Sequence, residues 1–362
     1  METQQMNQPF EIGIYTLADI VKNLLTGETI SAKGRIHEII EAAKLADEVG
    51  LDVFGVGEHH RLDYAVSSPQ MVLSAIAQAT KNIKLTTTTT VLNTVDPVRL
   101  FEDFATLDLI SGGRAEITAG RGAFVESFPL FGYDFNDYDA LFEEHLQLFI
   151  ELNEQERVTW SGRFRSALNN AEITPRPEQA QLPIWVGVGG TVSSAERAGR
   201  YGTGLNIAMI GGAHERFIPL IDAYRESGYI TGFTDKQLKV AVSGHGYIAN
   251  SMDQARDEFY PYYSHYLKLI QEQRGMRSGI LPREVFEQMT GPESVMFIGS
   301  PQEIIEKVLH QYELYGHSRF MLQTDIGGVP FKNIAKTIEL LGTEVAPVLR
   351  REINKHQALE LT

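Results

Sequence analysis

The chain has 362 residues, 43% hydrophobic and 22% charged, with a formal net charge of −15 at pH 7. That composition fits a globular protein with material for a large core. The acidic excess, unrelieved by any basic run or basic–aromatic patch, argues against nucleic acid and an anionic membrane surface as partners.

The absence of cysteine removes disulfides, thiolate nucleophiles, iron–sulfur clusters and cysteine-based zinc sites together. The first ten residues, METQQMNQPF, are polar and hold no apolar signal core. No apolar run approaches the roughly 20 residues a membrane helix needs, so a cytoplasmic protein is expected.

Residues 10–15, FEIGIY, alternate as a first strand. Ile36, Ile39, Ile40, Ala43, Ala46 and Val49 recur at helical spacing, and Gly50 ends that helix. Residues 52–57 form a second strand that runs into Glu58-His59-His60. Ser68-Pro69 opens a helix to about Thr80. A third strand from Lys84 carries threonine at 86–90; Asp96 then caps a helix with Pro97 at its first position, and Ser111-Gly112-Gly113 closes it. Residues 114–119 are a fourth strand that delivers Arg121, flanked by Gly120 and Gly122.

Residues 123–139 have no clear period, 141–152 are helical, and 160–181 are irregular again. Insertions of this length are usually functional loops or lids. Residues 183–188, 204–209 and 238–248 supply strands five to seven; the fifth ends in Gly189-Gly190 and enters a helix through Thr191 and Ser193. A mostly helical insertion at 252–289 precedes a capping box from Ser300 to Glu303 with Pro301 inside it. Residues 319–324 are an eighth strand, followed by Asp325 and a last helix. Eight strands, nearly all followed by helices, predict an α/β fold: a single (β/α)8 TIM barrel with insertion loops at its C-terminal face. No repeat or Ser- or Pro-rich linker divides the chain, so residues 1–362 are read as one domain.

Barrel enzymes place their chemistry at the C-terminal strand ends. Neighbouring strand residues face opposite ways, so if strand geometry persists through them, only one of His59 and His60 points into the mouth. That argues against a two-histidine metal site and for proton transfer by an imidazole; no metal is assigned. The threonines suit a strand by propensity alone, yet buried hydroxyls need partners, and a polar ligand could supply some. Arg121 between glycines fits a phosphate or carboxylate. Gly189, Gly190, Thr191 and Ser193 form a glycine turn at a helix N-terminus, an anion-binding arrangement. His245 stands at a strand end, the aromatic run 259–266 reads as core or interface, and Glu143, Glu144 and Glu151 read as a solvated helix face. There is no Walker A motif and no full G-x-G-x-x-G.

Glu58-His59-His60, the Asp96-Pro97-Val98-Arg99 helix start, the Ser-x-Gly-Arg…Gly-Arg-Gly run at 111–122 and Gly299-Ser300-Pro301 with Glu303 together resemble the bacterial luciferase-like flavin monooxygenase superfamily over nearly the whole chain. The resemblance implies a barrel that binds reduced FMN at its C-terminal mouth. Arg121 matches the arginine that grips the FMN phosphate, and Gly189, Gly190 and Ser193 match the phosphate loop, with Thr191 beside them. His59 matches a proton-transfer histidine near the flavin ring. Thr88 and Thr89 match a non-proline cis peptide under the ring. The implied activity is an FMN-dependent monooxygenase that uses O2, through a flavin hydroperoxide, on a small organic substrate. A partner flavin reductase would supply the reduced FMN, and the assembly would be a homodimer. The luciferases' own cysteine is Gly120 here, their histidine is Asp96, and their phosphate-loop Glu-Ser is Gly189-Gly190, so light emission is not implied. A deazaflavin- or flavin-dependent dehydrogenase on the same barrel, or a flavin-binding protein without turnover, are the alternatives.

Overall fold

The computed structural model describes residues 9–360 apart from 25, 123, 274, 277 and 278. The polar N-terminal stretch therefore lies almost wholly outside the described residues, as do single positions of the two insertions that begin at 123 and 252.

The barrel strands are β1 (Glu11–Thr16), β2 (Val53–Val56), β3 (Lys84–Thr87), β4 (Ile117–Gly120), β5 (Ile184–Val188), β6 (Gly204–Met209), β7 (Val240–Ile248) and β8 (Arg319–Gln323). Their pairings are all parallel, in the order β3-β2-β1-β8-β7-β6-β5-β4. The third strand closes the ring: the chain leaves the sheet at Thr88 and Thr89, re-enters at Thr90–Val91, and pairs there with Ala119 and Gly120 of β4. Leu85 bridges Ala115 lower down. This is the predicted (β/α)8 barrel.

The helix signals act as their chemistry requires. Ser31 caps α1 (Ala32–Glu48) by accepting from the Gly34 N–H at 3.1 Å. Pro69 opens α2 (Pro69–Ala79). Asp96 caps α3 (Pro97–Ser111) by accepting from the Val98 and Arg99 amides at 3.0 and 3.1 Å, and Gly112 ends it at φ 70°. Helix α4 (Tyr138–Glu154) starts three residues before the periodic stretch because Asp134 and a 3₁₀ turn, Phe135–Asp137, lead into it. Residues 160–181, read as irregular, hold one arm of an antiparallel hairpin, Arg157–Trp160 with Leu168–Glu172. Its second arm is largely exposed and so lacks the apolar alternation that marks a strand.

Side chains that alternate along the strands divide the core in two. Ile12, Ile14, Phe54, Val56, Phe320 and Leu322 face the helices, whereas Tyr15, Val53 and Met321 cluster separately inside the barrel. At the base of the lumen lies a layer of charge. Arg319, 2% exposed, donates to both Glu116 oxygens at 2.7 and 3.0 Å and to Glu11 at 2.7 Å, and its guanidinium stacks 4.4 Å from the Trp185 ring. Above it, Ser243 donates to Asn206 at 2.7 Å, and the Thr86 and Thr118 hydroxyls bond at 3.2 Å. The mouth is the layer above that.

Candidate active site at the barrel mouth

Of the five threonines, Thr86, Thr87 and Thr90 are satisfied within the barrel wall. The Thr87 hydroxyl donates to the Thr118 carbonyl at 3.1 Å, and Thr90 donates to Thr87 at 3.0 Å. The Thr88–Thr89 peptide is cis. The Thr88 hydroxyl is buried with no hydrogen-bond partner, the kind of atom that a bound polar group would satisfy. Around this dipeptide three neighbouring strands give up their side chains. A Cβ on Gly55 would meet Thr88 Cγ2 at 2.6 Å, one on Gly187 would meet Thr89 Cγ2 at 2.7 Å, and one on Gly120 would drive into the Thr89 hydroxyl. The result is a bare floor across β2 to β5 with one unspent hydroxyl.

Arg121 follows β4 directly and stands beside this floor. Its guanidinium donates to Asp139 at 2.5 Å and to the Ser194 hydroxyl at 2.8 Å, and stacks 4.9 Å from the Tyr138 ring. A second arginine completes the cluster. Arg197 lies 3.5 Å from Asp139 and pairs with Glu143, while Tyr201 donates to Glu143 at 2.7 Å. Arg197 sits on α5 (Val192–Arg200), which starts at Thr191. Gly189, Gly190, Thr191 and Ser193 are exposed in the turn before it and in its first turn. Ser194, one residue on, is the hydroxyl that reaches Arg121. Helix phase decides between the two serines, and the sequence pattern alone did not supply it. Glu143 also departs from expectation: it anchors Arg197, Arg200 and Tyr201 rather than facing water. The partner helix that makes this face a contact brings Arg197 from 54 residues further along the chain. Glu144 likewise accepts from the Arg163 and Phe164 amides, at 2.7 and 2.9 Å.

The two histidines part company, although β2 has ended at Val56 and strand alternation no longer sets their directions. His60 Nε2 lies 2.9 Å from Glu58, whose other oxygen accepts from the Val91 amide at 3.0 Å, so Glu58 ties the end of β2 to the re-entrant third strand. His59 turns the other way, its ring 4.0 Å from that of Tyr64 and tilted 36° to it, and edge-on to Phe124 at 5.4 Å. Burial, helped by the nearby Arg61 cation, pushes its imidazole down to about 4, which leaves it neutral at pH 7. Asp325 is drawn into a buried ion pair with Arg35, which Asp19 and Glu38 share, and so serves the wall of the mouth. His245 lies within β7 and not at its end, 4% exposed. The aromatic run belongs to α6 (Met252–Gln273): Phe259, Tyr262 and Tyr263 are core, yet Tyr263 and Tyr266 also border His245 at the mouth. Among the described residues, no group of three or more His, Asp or Glu side chains is placed to hold a metal ion. None of the described helices is long and apolar enough to cross a membrane.

A luciferase-like monooxygenase family model matches residues 10–318. The chain belongs to that family. It is accordingly a flavin-dependent oxidoreductase. It is 24% identical, over 86% of its length and 89% of the relative's, to the oxygenase component of a flavin-dependent trigonelline monooxygenase from Acinetobacter baylyi. It is 30% identical to an F420-dependent glucose-6-phosphate dehydrogenase from Amycolatopsis mediterranei, over 46% of this chain and 52% of that one. Among solved structures, the monooxygenase RslO1 from Streptomyces bottropensis superposes with a TM-score of 0.80, at 24% identity, over 93% of this chain and 99% of that one. The oxygenating constituent of 3,6-diketocamphane monooxygenase from Pseudomonas putida, in complex with FMN, does so at 0.76 and 20% identity, over 94% and 98%.

Family membership leaves the residue assignments to geometry. Sequence reasoning named Thr88, Thr89, Arg121 and His59, and these line one end of the barrel together. It missed Glu58 as a brace, Ser194 as the partner of Arg121, and Arg197 with Asp139. A signal for Arg197 was available: three positions after Ser194 it faces the same side of the helix.

Proposed function

We propose that this chain is the oxygenase of a flavin monooxygenase system: it holds reduced FMN at the barrel mouth and uses O2 to oxygenate a small organic substrate. The observation that carries the reading is the pairing of a glycine-bared floor at Thr88–Thr89 with a cation cluster at Arg121, both at the C-terminal ends of adjoining strands. A planar ring fits the first and a phosphate the second. When bound, the reduced flavin supplies the electrons that activate O2.

The remaining work falls to the chain. Thr88 and Thr89 support the ring, and the Thr88 hydroxyl is available to a ring heteroatom. Arg121 and Ser194 hold the phosphate, with the open Gly189, Gly190, Thr191 and Ser193 turn alongside. His59, neutral and walled by Tyr64 and Phe124, holds or passes a proton at its imidazole. The same rings exclude water. The trigonelline relative is named as an oxygenase component, which supports delivery of reduced flavin by a separate reductase. A homodimer in the cytoplasm is the expected assembly, checked by light scattering on the purified protein.

A second reading, hydride transfer with the deazaflavin F420, is favoured by the F420-dependent relatives. One experiment separates the two. FMN, riboflavin and F420 are titrated against the protein, and reduced FMN is then supplied under ¹⁸O₂ with a substrate panel. Tighter binding of FMN than of riboflavin, with one labelled oxygen in the product, supports the oxygenase. Selective F420 binding with no label incorporated overturns it.

A further inference from the structure

The mouth has two unlike halves. Over β2 to β5 it is the bare floor already described. Over β1, β7 and β8 it is filled with polar aromatic side chains. Tyr15, Gln323 and His245 are register partners across β1, β8 and β7, so they stand in one row at one height. The His245 ring meets Tyr263 and Tyr266 of α6 edge-on, at 5.7 and 6.0 Å. Tyr266 is near enough to Tyr15 and Tyr64 to help raise both phenol pKa values, behind burial as the main cause. The Tyr64 ring in turn lies 4.0 Å from that of His59. A wall of rings thus runs from His59 to His245.

Within this wall His245 has an unmet need. Its Nδ1 is buried without a hydrogen-bond partner. Burial alone pushes the imidazole down to about 4, so at pH 7 it is neutral and offers one donor and one acceptor. Among the described residues, the arginines that border this half, Arg61 and Arg35, are already committed. Arg61 holds Asp63 at 2.9 and 3.0 Å, and Arg35 holds Asp19, Asp325 and Glu38. The carboxylates are felt instead: Asp325 at Tyr15, Asp19 and Asp63 at Tyr64. An anionic substituent on His245 would lie in a buried setting against a neutral imidazole, with no uncommitted arginine among the described residues beside it.

The geometry points to an uncharged, ring-bearing substrate that lies on the Tyr64–Tyr266 wall and places a carbonyl or hydroxyl oxygen on the His245 imidazole. Phenols, quinones and aryl ketones fit; carboxylates, phosphates and sulfonates do not. The assignment rests on the flavin reading, since the floor opposite must belong to the cofactor for the wall to belong to the substrate. His245 is then a positioning and specificity residue.

The test is calorimetric titration with naphthol and with naphthalenesulfonate, the same ring with a neutral or an anionic group, in the presence and absence of FMN. Naphthol is expected to bind at least about tenfold more tightly. His245→Leu should weaken naphthol about tenfold, the loss of roughly one hydrogen bond. His245→Asn, which keeps a donor and an acceptor, should recover most of it. Neither change should move the FMN dissociation constant more than about twofold. Sulfonate binding equal to or tighter than naphthol overturns the assignment. So does unchanged naphthol affinity in a folded His245→Leu protein. A naphthol preference that persists where FMN fails to bind upholds the substrate assignment and overturns the cofactor reading.

Discussion

Arg121 does not wait empty-handed. Asp139 sits against it at 2.5 Å and lies 3.5 Å from Arg197, so a carboxylate already stands between the two cations that would receive a phosphate. Asp139 is 70% exposed at its side chain, whereas Arg121 is 21% exposed, so the acid is the partner free to leave. A phosphate must displace it, and the exchange costs part of the binding energy. Asp139→Asn should therefore tighten FMN binding, by about two- to tenfold for the loss of one half-exposed ion pair. Riboflavin, which lacks the phosphate, should bind as before. Fluorescence titration of both flavins checks this, and weaker FMN binding by the variant would show that Asp139 holds Arg121 in place instead. This pairing was invisible in the sequence. Asp139 lay in a stretch without period, and only the folded 3₁₀ turn and helix start bring it to Arg121, 18 residues earlier.

At the scale of the element, the third strand and the glycines around it form one device. Thr88 and Thr89 leave the sheet, and the space they take is space that Gly55, Gly120 and Gly187 do not fill. Gly187→Ala puts a methyl 2.7 Å from Thr89 Cγ2, below any contact that real Cβ atoms tolerate, and the threonine must shift. β5 is otherwise an ordinary buried strand, so the barrel should persist while the floor is lost. The expected outcome is a circular dichroism spectrum like that of the parent, with FMN affinity down by about tenfold or more. Retained affinity would mean that the flavin ring lies elsewhere. The threonine run was plain in the sequence, and so was Arg121 between its glycines. Gly55 and Gly187 were not, because a glycine in a strand signals a close approach without naming what approaches. Ser194 was missed for a similar reason: period locates a helix more surely than it fixes which of two adjacent serines faces inward. Strand and helix order, by contrast, was legible almost throughout, because caps such as Asp96, Ser300 with Glu303, and Pro at first helical positions are local chemistry.

For the whole molecule, buried histidines set the response to acid. Burial lowers the pKa of His59 and His245 to about 4 and that of His317 to about 3. In the unfolded chain each titrates near 6.5. Between those values the unfolded state takes up protons that the folded state refuses, so stability falls as pH falls. The contribution is complete above about pH 6.5 and drains away towards pH 4. Asp19 works the other way, since burial raises its carboxyl pKa and the folded state binds a proton there first. Burial also lowers His145 and His214 and raises Asp103, so two acids stand against five histidines and the net is a loss. The urea midpoint should therefore drop steadily from pH 7.5 to pH 5, and a flat or rising midpoint would contradict these burials. The insertions account for most of what was illegible at this scale. Their hairpin and long helix are held by contacts with distant elements rather than by their own period, as Arg176 shows by donating from beyond the hairpin to the Leu152 and Asn153 carbonyls at 2.7 and 2.8 Å.

The charged layer at the foot of the barrel has a practical bearing. Below it opens a cleft of about 590 Å³, lined by Glu11, Lys84, Glu116, Lys239 and Arg319. It lies at the N-terminal strand ends, where barrels keep stability rather than chemistry. Arg319, locked between Glu11 and Glu116 and stacked on Trp185, works as a floor plate between that hollow and the mouth. A fragment screen scored by occupancy alone would collect hits in the hollow that leave turnover untouched. Only competition with flavin would tell an inhibitor from a lodger.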